Sequence, residues 1–323
     1  MKMQFNRTTR LALLLGVAIP LSLSAQKGAE GSEDKSGSVA FKFLNLQYDA
    51  RGAALGGLSA QAGGAEALFW NPAGIASASG VGFNAGMTQW LVETSYMNAG
   101  AVIPMAGGVL GVAFVAVDYG DFMKSGWSET SGSYVFEANQ GTFTASDNAL
   151  QLSYGRFLSD KFSIGASAKT ISESIDDASL SGLVFDVGTQ FNTGYKNIRM
   201  GATISNFGPS IEPVETETES NLSPPMTFNF GIVGQAFGDD NMGLVAGVNV
   251  VKYSDMAQRV ALNGEMTVAG MVKLRGSYTL GDLVQDGLSF GAGVNLAGVS
   301  VNFAMTQMEA FDPVMRFSLG YQM

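Results

Sequence analysis

The chain has 323 residues, of which 42 are Gly and only 14% are charged; this disfavours long helices, because each interior Gly costs a helix about 1 kcal/mol relative to Ala. It contains no Cys and no His, which excludes disulfides, thiolate nucleophiles, Cys/His metal sites and imidazole acid–base catalysis. The formal charge of −10 argues against nucleic-acid binding, which needs a basic face to neutralise phosphates.

Residues 1–25 read as an export signal. Lys2, Arg7 and Arg10 form a basic start, residues 11–19 an apolar core, and Leu23-Ser24-Ala25 a small-residue cleavage site before Gln26. That core is too short to span a bilayer, which takes about 20 residues. Cleavage removes three cations and no anion, taking the formal charge from −10 to −13. No later segment offers a continuous apolar run long enough for a membrane helix. An exported chain of this kind is either soluble beyond the inner membrane or a β-barrel.

Residues 26–80 show no alternation. A polar stretch at 27–38 is expected to be flexible. It is followed by Phe41-Lys42-Phe43-Leu44, by Ala-Arg-Gly-Ala-Ala-Leu-Gly-Gly at 50–57 and by Phe-Trp-Asn-Pro-Ala-Gly-Ile-Ala at 69–76. Small residues permit close backbone packing, and Asn-Pro-x-Gly is turn chemistry. Such a segment suits a plug inside a barrel.

From residue 81 to the C-terminus the period is two, the signature of strands. Leu183, Phe185, Val187, Phe191 and Tyr195 share one phase, while Asp186, Gly188, Gln190 and Asn192 share the other. Met226, Phe228, Phe230 and Ile232 alternate with Thr227, Asn229 and Gly231, and Leu288, Phe290, Ala292, Val294 and Leu296 interleave with Ser289, Gly291, Gly293 and Asn295. The polar phase is Gly, Ser, Thr, Asn and Gln with few Lys or Glu, which suits a lumen better than a water-facing sheet. An apolar stripe on nearly every strand suits lipid. Closure follows, because an open sheet edge in hydrocarbon leaves amides without partners.

Fourteen strands are predicted, over 81–90, 95–104, 108–119, 147–157, 161–173, 183–195, 198–207, 226–236, 243–253, 258–267, 271–280, 287–296, 298–306 and 314–322. The connections 120–146, 174–182, 208–225, 281–286 and 307–313 are the longer ones and fall on one end. Turns such as Ser159-Asp160 fall on the other, as in bacterial barrels with a short periplasmic side. Met315, Phe317, Leu319, Tyr321 and Met323 carry the outward pattern to the last residue. The expected fold is all-β: a 14-stranded antiparallel transmembrane barrel at 81–323, with a hatch within 26–80.

The two motifs at 50–57 and 69–76 resemble the N-terminal hallmark of the PorV/PorQ family, within the wider FadL-like group of outer-membrane proteins. The hatch residues that carry the resemblance are Arg51, Gly56, Gly57, Asn71, Pro72, Ala73 and Gly74. The resemblance implies a fourteen-stranded barrel with an N-terminal hatch. It also implies two kinds of work. PorV-like members take part in type IX secretion, accepting exported cargo proteins at the outer face. FadL-like members let hydrophobic molecules enter the lumen and leave sideways. Neither is chemistry. The first expectation is therefore a non-enzymatic secretion component, whose partners are cargo proteins, other secretion subunits and outer-membrane lipid. Transport of hydrophobic small molecules is the second, and a purely structural role the third.

Several lumen-phase charges, Arg199, Arg259, Glu265, Lys273, Arg275 and Arg316, are expected to form a network with Arg51 against the hatch. Fixing the hatch is their expected role, since buried charges must find partners; substrate passage is the alternative. The segment 108–119 is apolar on both phases, suiting either a greasy lumen wall or hatch packing. The loop 120–146 carries Phe122, Trp127, Tyr134, Phe136 and Phe143, aromatic residues suited to surface contacts or to the barrel mouth. The loop 208–225 holds Glu212, Glu215, Glu217 and Glu219 without the spacing of a calcium loop, and reads as solvated. No catalytic constellation, metal site or cofactor motif is found.

Overall fold

The computed structural model describes residues 38–92, 94–105, 107–128, 131–136, 141–211, 222–281 and 286–323. Residues 1–37, with the expected export signal, lie outside these. Among the described residues, no helix is long and apolar enough to cross a membrane.

The strands are β1 (Gly82–Gln89), β2 (Ser95–Met105), β3 (Gly108–Met123), β4 (Ser125–Ser128), β5 (Ser133–Phe136), β6 (Thr142–Ser159), β7 (Phe162–Ile175) and β8 (Ala178–Asn192). They continue as β9 (Arg199–Phe207), β10 (Thr227–Gly238), β11 (Gly243–Tyr253), β12 (Arg259–Val268), β13 (Val272–Leu280), β14 (Gly287–Leu296), β15 (Val299–Thr306) and β16 (Val314–Gln322). Fourteen of them close a barrel in which each strand pairs with its sequence neighbours, β3 pairing with β6 and β1 with β16; β4 and β5 form a separate hairpin. Every wall pairing is antiparallel, as when Phe303 and Phe317 face each other across β15–β16.

Alternation sorts the two faces as the sequence suggests. On β8, Leu183, Phe185 and Val187 are exposed on the outside while Asp186 is 4% exposed within. A continuous belt of outward Phe, Leu, Met, Val and Ile circles the wall, far more apolar surface than a soluble monomer leaves open.

Two predicted loops are strand instead. β3 runs on to Met123 and β6 begins at Thr142, so Phe122 and Phe143 face each other across a strand pair rather than sitting in a loop. The expected loop 174–182 is the end of β7, a turn at Asp176 and Asp177, and the start of β8. A membrane needs only about 9–11 residues of tilted strand. Beyond that the ladder continues, but the outward phase has no lipid to face and turns polar, as at Ser146, Ser172, Ser174, Ser179 and Ser181. Hydropathy therefore loses these ends although hydrogen bonding keeps them. The four strands β3, β6, β7 and β8 build a wall that rises above the rest on the rim with the longer connections.

The N-terminal segment forms α1 (Ala50–Ala54) and three 3-10 turns at Lys42–Asn45, Gly64–Phe69 and Pro72–Ser77. It touches every strand of the barrel. Tyr48 lies against β1 at Gly86, Leu68 against β2 and β3 at Gly100 and Gly111, and Pro72 against β7 at Gly165. Side-chain bonds link it to β6, β8, β10, β11, β12 and β16. Ser59 meets β9 at Gly201 and Ala54 meets β14 at Gly291, and α1 packs on β13 and β15. A segment that reaches all fourteen walls of a closed barrel can only fill its interior. It runs from the long-loop rim, where Ala40 N–H donates to Ser223 O, to the short-turn rim, where Gly80 meets Met323.

Candidate functional site

The hatch motifs fold around two buried polar anchors. Asp49 caps α1 by accepting from Gly52 N–H at 3.0 Å and also accepts from the Trp70 indole N–H; an Asp at this position satisfies helix N–H groups that otherwise lack partners. Its burial pushes the Asp49 carboxyl up. Asn71 caps the last 3-10 turn, its Oδ1 accepting from Ala73 N–H at 3.0 Å, with Pro72 in the first turn position. The Asn71 amide donates to Ser59 O at 2.7 Å and to Thr189 O of β8 at 3.1 Å. The Asn-Pro-Ala-Gly element is thus a bolt between two hatch segments and the wall. Gly56 and Gly57 take positive φ of 62° and 132°, and Gly57 O accepts from Asn249 at 2.8 Å. A Cβ on Gly74 would strike Ala62 O.

The expected charge network divides into three. Arg51 bridges the hatch and the wall, donating to Glu66 at 2.6 Å and Glu265 at 3.1 Å. Arg275 holds the same Glu265 at 2.6 Å and donates to Asn302 at 2.8 Å. Burial outweighs the attraction of Arg51 and leaves the Glu66 carboxyl pushed up to about 7. Lys273 donates to Thr267, and Arg199 lies within the field of Arg51 and Glu265. Arg51, Glu66, Glu265, Lys273, Arg275 and Asn302 line a vestibule of about 560 Å³ at the short-turn rim. Arg316 stands apart, donating to Gln47 O at 3.0 Å and Thr306 at 2.9 Å and lying over the Trp90 ring. Arg259 does not join the hatch at all: it pairs with Asp286 and donates to Tyr253 OH near the opposite rim. The single network expected from the sequence is corrected accordingly, because lumen phase fixes which way a charge points but not its height in the barrel.

Between the hatch and the wall of β3 and β6 to β11 lies a cavity of about 90 Å³. Leu44, Leu46, Leu68, Phe69, Ala113 and Val115 form one side; Lys169, Asp186, Thr203, Ser205, Thr227 and Asn229 form the other. Both readings of the doubly apolar β3 are met, since Val109 and Ala113 also pack on Leu68 and Val115 and Val117 pack on Phe41 and Tyr48. On the outside of the same wall is an apolar groove of about 460 Å³, bounded by Tyr154, Ile164, Ala166, Val187, Ile204 and Phe228. Thr203 borders both cavity and groove. Beside it the β8–β9 ladder slips: Phe185 faces Phe207 and Val187 faces Ile204, so Asp186 opposes both Ser205 and Asn206. Asn206 has a positive φ of 58°, and its N–H is satisfied by the Asp186 carboxylate at 2.8 Å. Lys169 completes the patch, 2.7 Å from Asp186 and 2.9 Å from Asn206 Oδ1. Such bulges bend a strand and interrupt its pairing.

Sequence reasoning missed Lys169, Asp186 and Thr203 as a unit, and Asp49 and Glu66 as partners. Lys169 and Asp186 share the lumen phase of adjacent strands, which was a legible signal; the slipped register was not. Among the aromatic residues, Phe122 stacks on Phe143 with centroids 5.3 Å apart, and Trp127 on β4 is 57% exposed. Tyr134 sits on β5 opposite Trp127, with Phe136 two residues on. Glu212, Glu215, Glu217 and Glu219 lie outside the described residues, and no metal-holding group of acidic residues occurs among those described.

No protein-family model matches the chain, and no curated protein is recognisably similar to it in sequence. The fold has clear relatives among solved structures. The Pseudomonas putida toluene transporter TodX superposes with a TM-score of 0.61 at 12% identity, covering 85% of this chain and 98% of TodX. The Ralstonia pickettii toluene transporter TbuX gives 0.57 at 12% identity, covering 85% and 99%. The closed fourteen-stranded antiparallel barrel of this chain is similar in fold to these two transporters.

Proposed function

We propose that this protein, exported with removal of residues 1–25, conducts hydrophobic small molecules through the outer membrane without chemically changing them. The short-turn rim faces the periplasm. A solute enters from the long-loop side, rests in the interior cavity, and leaves through the β8–β9 wall into the bilayer. One observation carries this reading: the cavity and the lipid-side groove back onto the same piece of wall, at Thr203, where the ladder slips at Asp186. Among the described residues the hatch touches every strand, which favours an exit through the wall over one along the lumen. The fold likeness to two toluene transporters points the same way.

The test uses the absence of native Cys. Val187 and Ile204 face each other across the slip, and opposed residues of antiparallel strands lie within disulfide range. Cells carrying the V187C/I204C pair should take up radiolabelled toluene only after reduction. Equal uptake in the oxidised and reduced states refutes passage through this wall.

A second reading, the PorV-type role in secretion suggested by the N-terminal motif, is favoured by the raised wall of β3 and β6 to β8 and by the exposed Trp127 on its adjoining hairpin. This rim would receive cargo proteins or other secretion subunits. Unchanged export of proteins bearing C-terminal sorting domains after gene deletion refutes it.

A further inference from the structure

The interior cavity has two chemically different sides, and its polar side carries two groups without hydrogen-bond partners among the described residues: Asn45 Nδ2 and Thr203 Oγ1. Thr203 is 2% exposed. Asn45 Oδ1 lies 3.0 Å from Thr227 Oγ1, whose single proton is also within reach of Pro225 O at 3.2 Å. A pure hydrocarbon would leave both groups unmet, at the full cost of desolvating them. An anion finds no uncompensated cation either, since Lys169 is already paired with Asp186 at 2.7 Å. The volume of about 90 Å³ has room for several water-sized groups, since about 10–15 Å³ of it holds one water.

From this we infer that the cavity binds a small neutral amphiphile, an alcohol or ketone of about five heavy atoms, whose oxygen meets Asn45 and Thr203 and whose carbon chain lies on Leu44, Leu46, Leu68 and Val115. The inference rests on reading this cavity as the solute's resting place and adds the polar head to the solute class.

The full chain in lipid nanodiscs, titrated with 1-butanol, n-pentane and butyrate and followed by saturation-transfer NMR, tests it. Thr203→Val keeps the shape and removes the hydroxyl, so butanol affinity should fall about tenfold with n-pentane unmoved, and Thr203→Ser should restore it. The idea is overturned if butanol binding is indifferent to Thr203→Val, if butyrate binds more tightly than butanol, or if none of the three binds. If Thr203→Val does not assemble, Thr203→Ser and the wild-type ranking of butanol over butyrate decide alone. Toluene uptake by the reduced V187C/I204C protein separates the two ideas: uptake intact with butanol preference absent removes only this inference, and both absent remove the transport reading too.

Discussion

Arg51→Met is expected to loosen the hatch in a manner that grows with pH. In the native protein the Arg51 guanidinium is the ion-pair partner of Glu66, at 2.6 Å, and shares Glu265 with Arg275. Removing it leaves Glu265 paired but strands the partly buried Glu66, whose carboxyl is pushed up to about 7 with Arg51 present and higher without it. A carboxyl raised on folding stabilises the folded state fully below its unfolded value near 4.5, and that contribution is lost as pH rises through the folded value. The native loss therefore levels off above pH 7, whereas the variant keeps losing stability. At pH 6 the two should differ by the lost hydrogen bonds and packing, about 1 kcal/mol. At pH 8.5 the ionisation of Glu66 adds about 1.5 pH units, or about 2 kcal/mol, for a total near 3 kcal/mol. Amide hydrogen exchange of the hatch, corrected for intrinsic rates, reads this as about 5-fold faster exchange at pH 6 and over 100-fold at pH 8.5. A ratio that is flat with pH, or largest in acid, refutes the argument. The double variant Arg51→Met, Glu66→Gln should show a flat ratio.

Gly201→Val drives a side chain into Ser59 O and should cost the hatch 1–3 kcal/mol or more by overpacking. Exchange at 57–62 should rise while the heat-modifiable gel mobility of the barrel is kept; lost mobility would mean that the wall itself depends on this contact. Asp186→Asn leaves the partly buried Lys169 ammonium without its counter-charge, a loss of up to about 3 kcal/mol. It should speed exchange at 203–207 and raise toluene uptake; slower uptake would contradict a wall that opens here. Trp127→Ala should change barrel stability by less than about 0.5 kcal/mol, whereas Phe122→Ala should cost about 1 kcal/mol by losing its stack on Phe143. Urea unfolding in detergent compares the pair, and equal effects would dissolve the distinction between hairpin and wall.

The sequence by itself determined the barrel. A two-residue period with an outward apolar phase admits one solution in a bilayer, and the fourteen predicted strands coincide with the fourteen of the wall to within a few residues wherever the outward side faces lipid. It also singled out Arg51 and the Asn71–Gly74 turn as structural, because turn chemistry and buried charge are local properties. Where strands outrun the membrane, at 120–123, 142–146 and 174–182, the signal vanished with the lipid that produces it. Register and height were decided only in three dimensions. Arg259 meets Asp286 rather than Arg51 because of its height in the barrel, and Asn206 reaches Asp186 and Lys169 beside Thr203 because β8 and β9 slip by one residue. Local sequence fixes the face on which a side chain lies; the stagger of neighbouring strands around a closed barrel fixes which side chains share a level.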